Sequence, residues 1–276
     1  MSLLEIIKAI IYGIVEGITE WLPVSSTGHL LLLNDIMPMK VSPEFWSVFL
    51  VVIQLGAIIA VVIHFWYKIW PFNTKVKSKP FLRYDVMNLW IKILVACIPA
   101  AIVGILFDDW LEEHLYNSTV VATALIVVGI AFIIIETKNK GAEPRVKSLR
   151  EITYKDALII GLFQLIAAIF PGTSRSGATI IGGLIIGIER VVIAEFTFFL
   201  AIPVMFGASL LKLLKIGFAF SGVELITLLI GSVVAFGVSM AAIRFLMNYV
   251  KKHDFKVFGY YRIVLGIVVL IFFLIK

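Results

Sequence analysis

Long apolar runs alternate with short polar breaks along this chain. A hydrocarbon layer about 30 Å thick takes about 20 mostly apolar residues per helix. Six segments meet or approach that length: 45–67, 89–107, 120–135, 191–214, 223–247 and 259–275. The third is short and is expected to extend into its flanks. Two further stretches are apolar but interrupted, 3–22 followed by 29–37, and 157–170 followed by 177–188. Proline, glycine and hydroxyl residues break each of them in the middle. A helix broken at membrane depth leaves backbone groups unpaired, which is tolerated only where protein or a wet cavity covers the break. Both pairs therefore read as re-entrant helical hairpins. The predicted fold is an all-α polytopic membrane protein, with six transmembrane helices plus two re-entrant hairpins in a single integral membrane domain over 1–276.

The interrupted pairs align at an offset of 148, which matches Gly13 with Gly161, Glu16 with Gln164, Pro23 with Pro171 and Ser26 with Ser174. Repeat one then covers about 1–148 and repeat two about 149–276. Each hairpin is followed by three spans, an odd number, so the second unit enters the membrane upside down. That is an inverted-topology repeat, in which discontinuous helices meet near the midplane.

Basic residues cluster in three connections: Lys68, Lys75, Lys77, Lys79 and Arg83; Lys138, Lys140, Arg145, Lys147, Arg150 and Lys155; and Lys251, Lys252 and Lys256. Between the first two lies the acidic stretch Asp108-Asp109-Trp110-Leu111-Glu112-Glu113. The excess of lysine and arginine marks the cytoplasmic side. All three basic connections fall there, and both termini fall outside. Lys212 and Lys215 are minor exceptions near the opposite face.

Composition agrees with a bilayer protein. The chain is 61% hydrophobic and 15% charged, against about 45–50% and about 25% in soluble domains. Its formal charge of +6 resides in the loops, a topology signal that does not call for nucleic acid as a partner. The one cysteine, Cys97, lies in an apolar run and reads as a small core residue. The first apolar stretch carries Glu5, Lys8, Glu16 and Glu20 and lacks a small-residue cleavage site, so it is not read as a cleavable signal.

Candidate chemistry sits at the two breaks. Glu16 and Glu20 are four residues apart and share a helical face. Carboxylates at membrane depth cost about 2.5–3.5 kcal/mol each, and a pair can hold a divalent cation or divide acid and base roles. Ser25, Ser26 and Thr27 follow Pro23, with Gly28 and His29 next. The hydroxyls can cap the following helix or take part in chemistry. His29 is either a satisfied core histidine or a general base. The second break reads Pro171-Gly172-Thr173-Ser174-Arg175-Ser176-Gly177, a glycine-bounded loop that opens a helix. Helix N-termini attract anions, and the Arg175 guanidinium suits bidentate phosphate contact. A buried pair between Arg175 and Glu16 or Glu20 is the structural alternative. The loop lacks P-loop spacing, so no nucleotide is implied. One half looks reactive and the other looks like a phosphate clamp.

At these residues, Gly13 to His29 and Phe170 to Gly177, the sequence resembles the undecaprenyl-diphosphatase or bacitracin-resistance family. Phe198-Phe199-Leu200-Ala201-Ile202-Pro203 and Tyr261-Arg262-Ile263-Val264-Leu265-Gly266 add to the resemblance. It implies hydrolysis of undecaprenyl diphosphate to the monophosphate and phosphate, which recycles the lipid carrier of peptidoglycan synthesis. It also implies dependence on Mg²⁺ or Ca²⁺, with Glu16 and Glu20 as ligands. The expected place is the plasma membrane, among membrane lipids, with the site open to the extracytoplasmic face. Ser26 is the expected nucleophile, or a binding group if water attacks, and His29 its base. The expected phosphate-binding set is Ser25, Thr27, Gly172, Thr173, Ser174, Arg175, Ser176 and Gly177. A homodimer is compatible with the sequence. The rival reading is a polyprenyl-phosphate transporter or flippase, since broken helices in inverted repeats are transporter architecture.

Overall fold

The computed structural model describes residues 3–73, 80–217 and 220–276. Of the expected basic residues, Lys75, Lys77 and Lys79 lie outside them. The described residues form α1 (Leu3–Thr19), α2 (Ser26–Ile36), α3 (Pro43–His64), α4 (Trp66–Ile69), α5 (Tyr84–Leu115), α6 (Ser118–Lys138), α7 (Tyr154–Ile169), α8 (Arg175–Ile185), α9 (Arg190–Ile216), α10 (Gly222–Val250) and α11 (Lys256–Ile275). Extended pairing among the described residues is limited to isolated bridges, Phe72 with Leu82 and Val146 with Ile188. Among the described residues six helices are long and apolar enough to cross a membrane: α3, the Tyr84–Phe107 part of α5, α6, α9, α10 and α11. The chain is a multi-pass integral membrane protein.

Two boundaries depart from expectation for local reasons. The first span stops at His64, and the chain restarts after Phe65 as the one-turn α4, whose Trp66 stacks on Trp70 at 4.3 Å. The second span continues as helix through the acidic stretch, which the charge pattern marks as a connection. Its carboxylates meet α9 there: Lys215 pairs with Asp109, and Lys212 lies 3.8 Å from Glu112. The lysines that break the charge rule are thus neutralised by the helix that breaks the boundary.

The two short pairs each begin and end at one place. Lys8 Nζ donates to the Pro38 carbonyl at 2.6 Å and the Tyr12 hydroxyl to that of Met37 at 3.3 Å, so the start of α1 meets the segment after α2. Arg145 pairs with Asp156 at the start of α7 and donates to the Ile186 carbonyl at 3.1 Å, just past α8. The basic connections are tied together at that second end. Arg150 pairs with Asp85 at 3.0 Å, and the Tyr154 hydroxyl donates to Asn88 at 2.6 Å. The fully buried Glu136 accepts from Arg190 at 2.9 Å and from the Phe255 amide at 3.0 Å.

Glycines let the helices approach. In lipid there is little hydrophobic force between helices, so small residues that allow backbone contact carry the association. α1 rests on α10 through Gly13, where a Cβ would lie 2.6 Å from the Gly231 carbonyl oxygen. α7 rests on α5 through Gly161, 2.5 Å by the same measure from that of Ala96. α6 and α11 cross at Gly129 and Gly259. Each short pair thus leans its first helix on a long helix from the other half of the chain.

Gly161→Leu is therefore expected to cost about 1–3 kcal/mol or more by overpacking, read as a lower melting temperature of the detergent-solubilised protein. Gly104→Ala, where nothing lies within 4 Å of the added carbon, is expected to leave melting unchanged or slightly raised. Equal melting of the two variants would overturn the packing argument.

Candidate active site

Both helix breaks are built the same way. After Pro23, Ser25 caps α2 by accepting from the Gly28 amide at 3.3 Å. After Pro171, Ser174 caps α8 by accepting from the Gly177 amide at 3.2 Å. Among the described residues these two serines are the only non-glycines with positive φ, 75° and 68°. Such backbone costs of order 1–3 kcal/mol and persists where its surroundings hold it. The caps set the structural register at 149, one more than the alignment of Pro23 with Pro171. Ser25 corresponds to Ser174, so Ser26 and Arg175 take the same place, the first residue of each helix.

Those two first residues meet at one carboxylate. The Ser26 hydroxyl donates to Glu20 Oε2 at 2.8 Å, and Arg175 Nη2 donates to Glu20 Oε1 at 3.1 Å. Arg175 Nη1 also donates to the Thr197 carbonyl of α9 at 3.0 Å. One turn below, Glu16 is fully buried, and among the described residues neither of its carboxylate oxygens meets a nitrogen or hydroxyl donor, the Glu20 carboxyl being its neighbour. The charged groups acting on it are Glu20 and Arg175. Trp21, buried against the ring of Phe198 at 5.3 Å, fixes the end of the first break on α9.

The other expected site residues divide between scaffold and rim. Ser176 shares a hydrogen bond with Ser174 at 3.0 Å and reaches the Glu20 carbonyl at 3.4 Å. Ser25, Ser174, Gly28 and Gly177 are engaged in the caps, and Gly172 has φ +92° with its backbone against the Val121 carbonyl. Thr27 lies beside Tyr116, an exposed residue after α5. His29 does not contact Ser26. Its Nδ1 lies 2.8 Å from the Ser25 carbonyl, which can only accept, so Nδ1 carries the proton. Its Nε2 meets the Tyr261 hydroxyl at 2.7 Å. The ring turns back by one helical turn, and Glu20 takes the contact with Ser26 that the sequence assigns to His29. Among the described residues no three His, Cys, Asp or Glu side chains gather around a metal-sized space, and Glu16 with Glu20 remains the paired-carboxylate set.

Sequence reasoning passed over Arg262. It is fully buried, with Nη1 donating to the Pro23 carbonyl at 3.2 Å and Nη2 to those of Gly172 and Thr173 at 2.9 and 2.8 Å. One guanidinium thus fastens both breaks together. Its signal was present in the Tyr261-Arg262 stretch, where an arginine follows the basic connection by a turn and a half and looks like one more topology charge.

Residues 9–268 match the family model of the bacitracin resistance protein BacA. The chain belongs to the BacA family. It is 59% identical to an undecaprenyl-diphosphatase of Desulfitobacterium hafniense, across 99% of this chain and 98% of the relative. It is 58% identical to one of Enterococcus faecalis, across 98% of each. A relative from Streptococcus thermophilus carrying the same name is 52% identical across 99% of this chain and 95% of its own. The site described above lies within the span that defines BacA membership.

Within that BacA site, Arg262→Met is expected to strand carbonyls at about 1–3 kcal/mol each and to lower the melting temperature sharply. Arg262→Lys, which keeps the charge but not the fork, is expected to fall between. Melting of Arg262→Met at the wild-type temperature would remove Arg262 from this role.

Proposed function

We propose that this chain hydrolyses undecaprenyl diphosphate to undecaprenyl phosphate and inorganic phosphate, and so returns the lipid carrier to peptidoglycan and other cell-wall synthesis. The names of its full-length relatives support this. The structural observation that carries it is where polar groups go unsatisfied. Buried polar atoms without partners are rare and mark function or strain. Those found among the described residues are both Glu16 oxygens, Trp21 Nε1, Gln164 Oε1, Arg175 Nε and Arg262 Nε. Every one belongs to the two broken pairs or to the arginine that joins them.

In the proposed reaction Arg175 holds the diphosphate together with the N–H groups that open α2 and α8, which have no acceptor inside their helices. Its Nε, free in the structure, points this guanidinium toward a further acceptor. Ser26 Oγ attacks the terminal phosphorus. Glu20 Oε2 takes the serine proton, the serine–phosphorus bond forms, and the bond to the bridging oxygen breaks, leaving the lipid monophosphate. Water then releases phosphate from Ser26. Arg175 holds the Glu20 carboxylate aimed at Ser26, the role of the third group in a nucleophile–base arrangement. His29 positions the strained Ser25 carbonyl and, through it, the start of α2. Ser174 and Ser176 brace the start of α8 beside Glu20, and Thr27 sits at the outer side.

Glu16 and Glu20 fit a divalent cation such as Mg²⁺ or Ca²⁺, because hard cations take oxygen ligands and Glu16 offers two buried oxygens with no other use. When bound, the cation would offset phosphate charge in the transition state.

The architecture we infer is an inverted-topology repeat, with α1–α2 and α7–α8 as hairpins that enter from opposite ends. The support is the closure of each pair at one end and the exchange of α1 and α7 onto long helices of the opposite half. In the plasma membrane the basic end faces the cytoplasm, both termini face outside, and the site opens to the extracytoplasmic face past Thr27 and Tyr116.

Phosphate release from detergent-solubilised lipid diphosphate tests the reading. Ser26→Ala is expected to lose more than about 10³-fold and Glu20→Gln about 10²–10⁴-fold, with His29→Gln milder than both. Activity of Ser26→Ala near wild type, with oxygen from labelled water in the first phosphate released, would replace the serine by water as nucleophile. Chelation of divalent cations is expected to abolish release, and Glu16→Gln to raise the Mg²⁺ concentration at half-maximal rate. A rate indifferent to chelator would remove the cation from the proposal.

A further inference from the structure

A polar cavity lies at the basic end, lined by none of the residues of the Glu20 centre. It has a volume of about 570 Å³ and is lined by His64, Tyr67, Lys68, Glu195, Arg244 and Lys251, among others. Lys68 and Glu195 form an ion pair at 2.6 Å, so they cancel. Lys251 and Arg244 have no ion pair or hydrogen bond among the described residues, which leaves the cavity with two uncompensated cations.

Arg244 is the unusual one. It lies six residues before the end of α10 at Val250, about 9 Å into the helix. α10 has 29 residues, about 43 Å, and outruns a hydrocarbon core of about 30 Å, so the exposed Arg244 sits near the headgroup level. Other cations of the long helices are engaged: Lys92 donates to the Arg150 carbonyl at 3.2 Å, Lys212 faces Glu112, and Arg262 holds three carbonyls. Arg244 alone of these faces a cavity, and the carboxylate nearest to it there is already taken by Lys68.

The rim matches a lipid–water boundary. Trp66 and Tyr67 of α4 are exposed, and Trp70 stacks on Trp66 beside the cavity. Tryptophan and tyrosine collect at the headgroup level, and basic pockets between helices on that side suit anionic headgroups. We propose that this cavity binds the phosphate of an anionic phospholipid, with Arg244 and Lys251 as its ligands and the acyl chains lying outside α4 and α10. The same cations would also accept inorganic phosphate, and the test separates the two sources.

Native mass spectrometry of the solubilised protein reads the difference, with phosphatidylglycerol, phosphatidylcholine and inorganic phosphate as separate probes. Wild type is expected to retain phosphatidylglycerol about tenfold better than phosphatidylcholine. The double variant Arg244→Gln with Lys251→Gln is expected to retain both equally, while Arg244→Lys keeps the preference. Phosphate release from lipid diphosphate by the double variant at the wild-type rate would show that the fold and the Glu20 centre are intact. Equal retention of the two lipids by wild type, or an undiminished preference in the double variant, would overturn the proposal. Displacement of phosphatidylglycerol by millimolar inorganic phosphate would overturn the lipid assignment in favour of a free-phosphate site.

Discussion

The structure depends on covering the backbone where two helices break inside the bundle. Each open carbonyl in a region without water costs several kcal/mol, and two breaks placed together multiply that cost. Arg262 answers it with one side chain, taking a carbonyl from the first break and two from the second. The capping serines answer the amide side, each satisfying one free N–H of the helix that follows. Once the breaks are closed in this way, the residues that open α2 and α8 are held opposite each other without having to hold the backbone themselves. That is what leaves Ser26 and Arg175 available to Glu20.

The hydroxyls therefore divide by position. Ser25 and Ser26 are adjacent and chemically identical, yet Ser25 is buried and committed as a cap while Ser26 is half-exposed and bonded to a carboxylate. The same split separates Ser174 from Arg175. Because the two helices begin in the same register, the first position of one carries the hydroxyl and the first position of the other carries the guanidinium. Both point at the same carboxylate, and the relation between the halves is one of equal geometry with unequal chemistry.

Much of this was legible in the sequence, and what was missed has physical causes. The spans could be read because an apolar window of membrane length has few other uses. The acidic end of α5 could not, since its carboxylates stay helical by meeting Lys212 and Lys215, about a hundred residues away in sequence. That Glu16, Glu20 and Arg175 come together could be anticipated from charge in an apolar setting. The partner of Ser26 could not: His29 stands three residues on, but its ring is drawn to the Ser25 carbonyl by the helix itself. Matching the prolines gives an offset of 148 while the capping serines stand 149 apart, because the local geometry of each break is carried by its cap. Arg262 was hidden because its partners are carbonyls, and no residue type in a sequence announces a carbonyl left open by a break in a helix.

Charge balance connects these parts to the chemistry. The cluster at the two breaks holds two carboxylates, Glu16 and Glu20, and two guanidiniums, Arg175 and Arg262. Counted formally the cluster is neutral, yet it is unevenly paired: Glu20 has two donors, Arg262 has only carbonyls, and Glu16 meets no nitrogen or hydroxyl donor among the described residues. A neutral cluster with an unpaired carboxylate at one side and spare N–H groups at the other is polarised rather than saturated. An arriving diphosphate adds negative charge beside Arg175 and the helix N-termini, where it is favoured. The same arrival brings further negative charge beside the buried Glu16 carboxyl. In the proposed reaction a cation held at Glu16 would therefore favour the anion, and the anion the cation, by electrostatics alone. The carboxylate that the folded chain leaves without a partner is the one that a cation-borne substrate would complete.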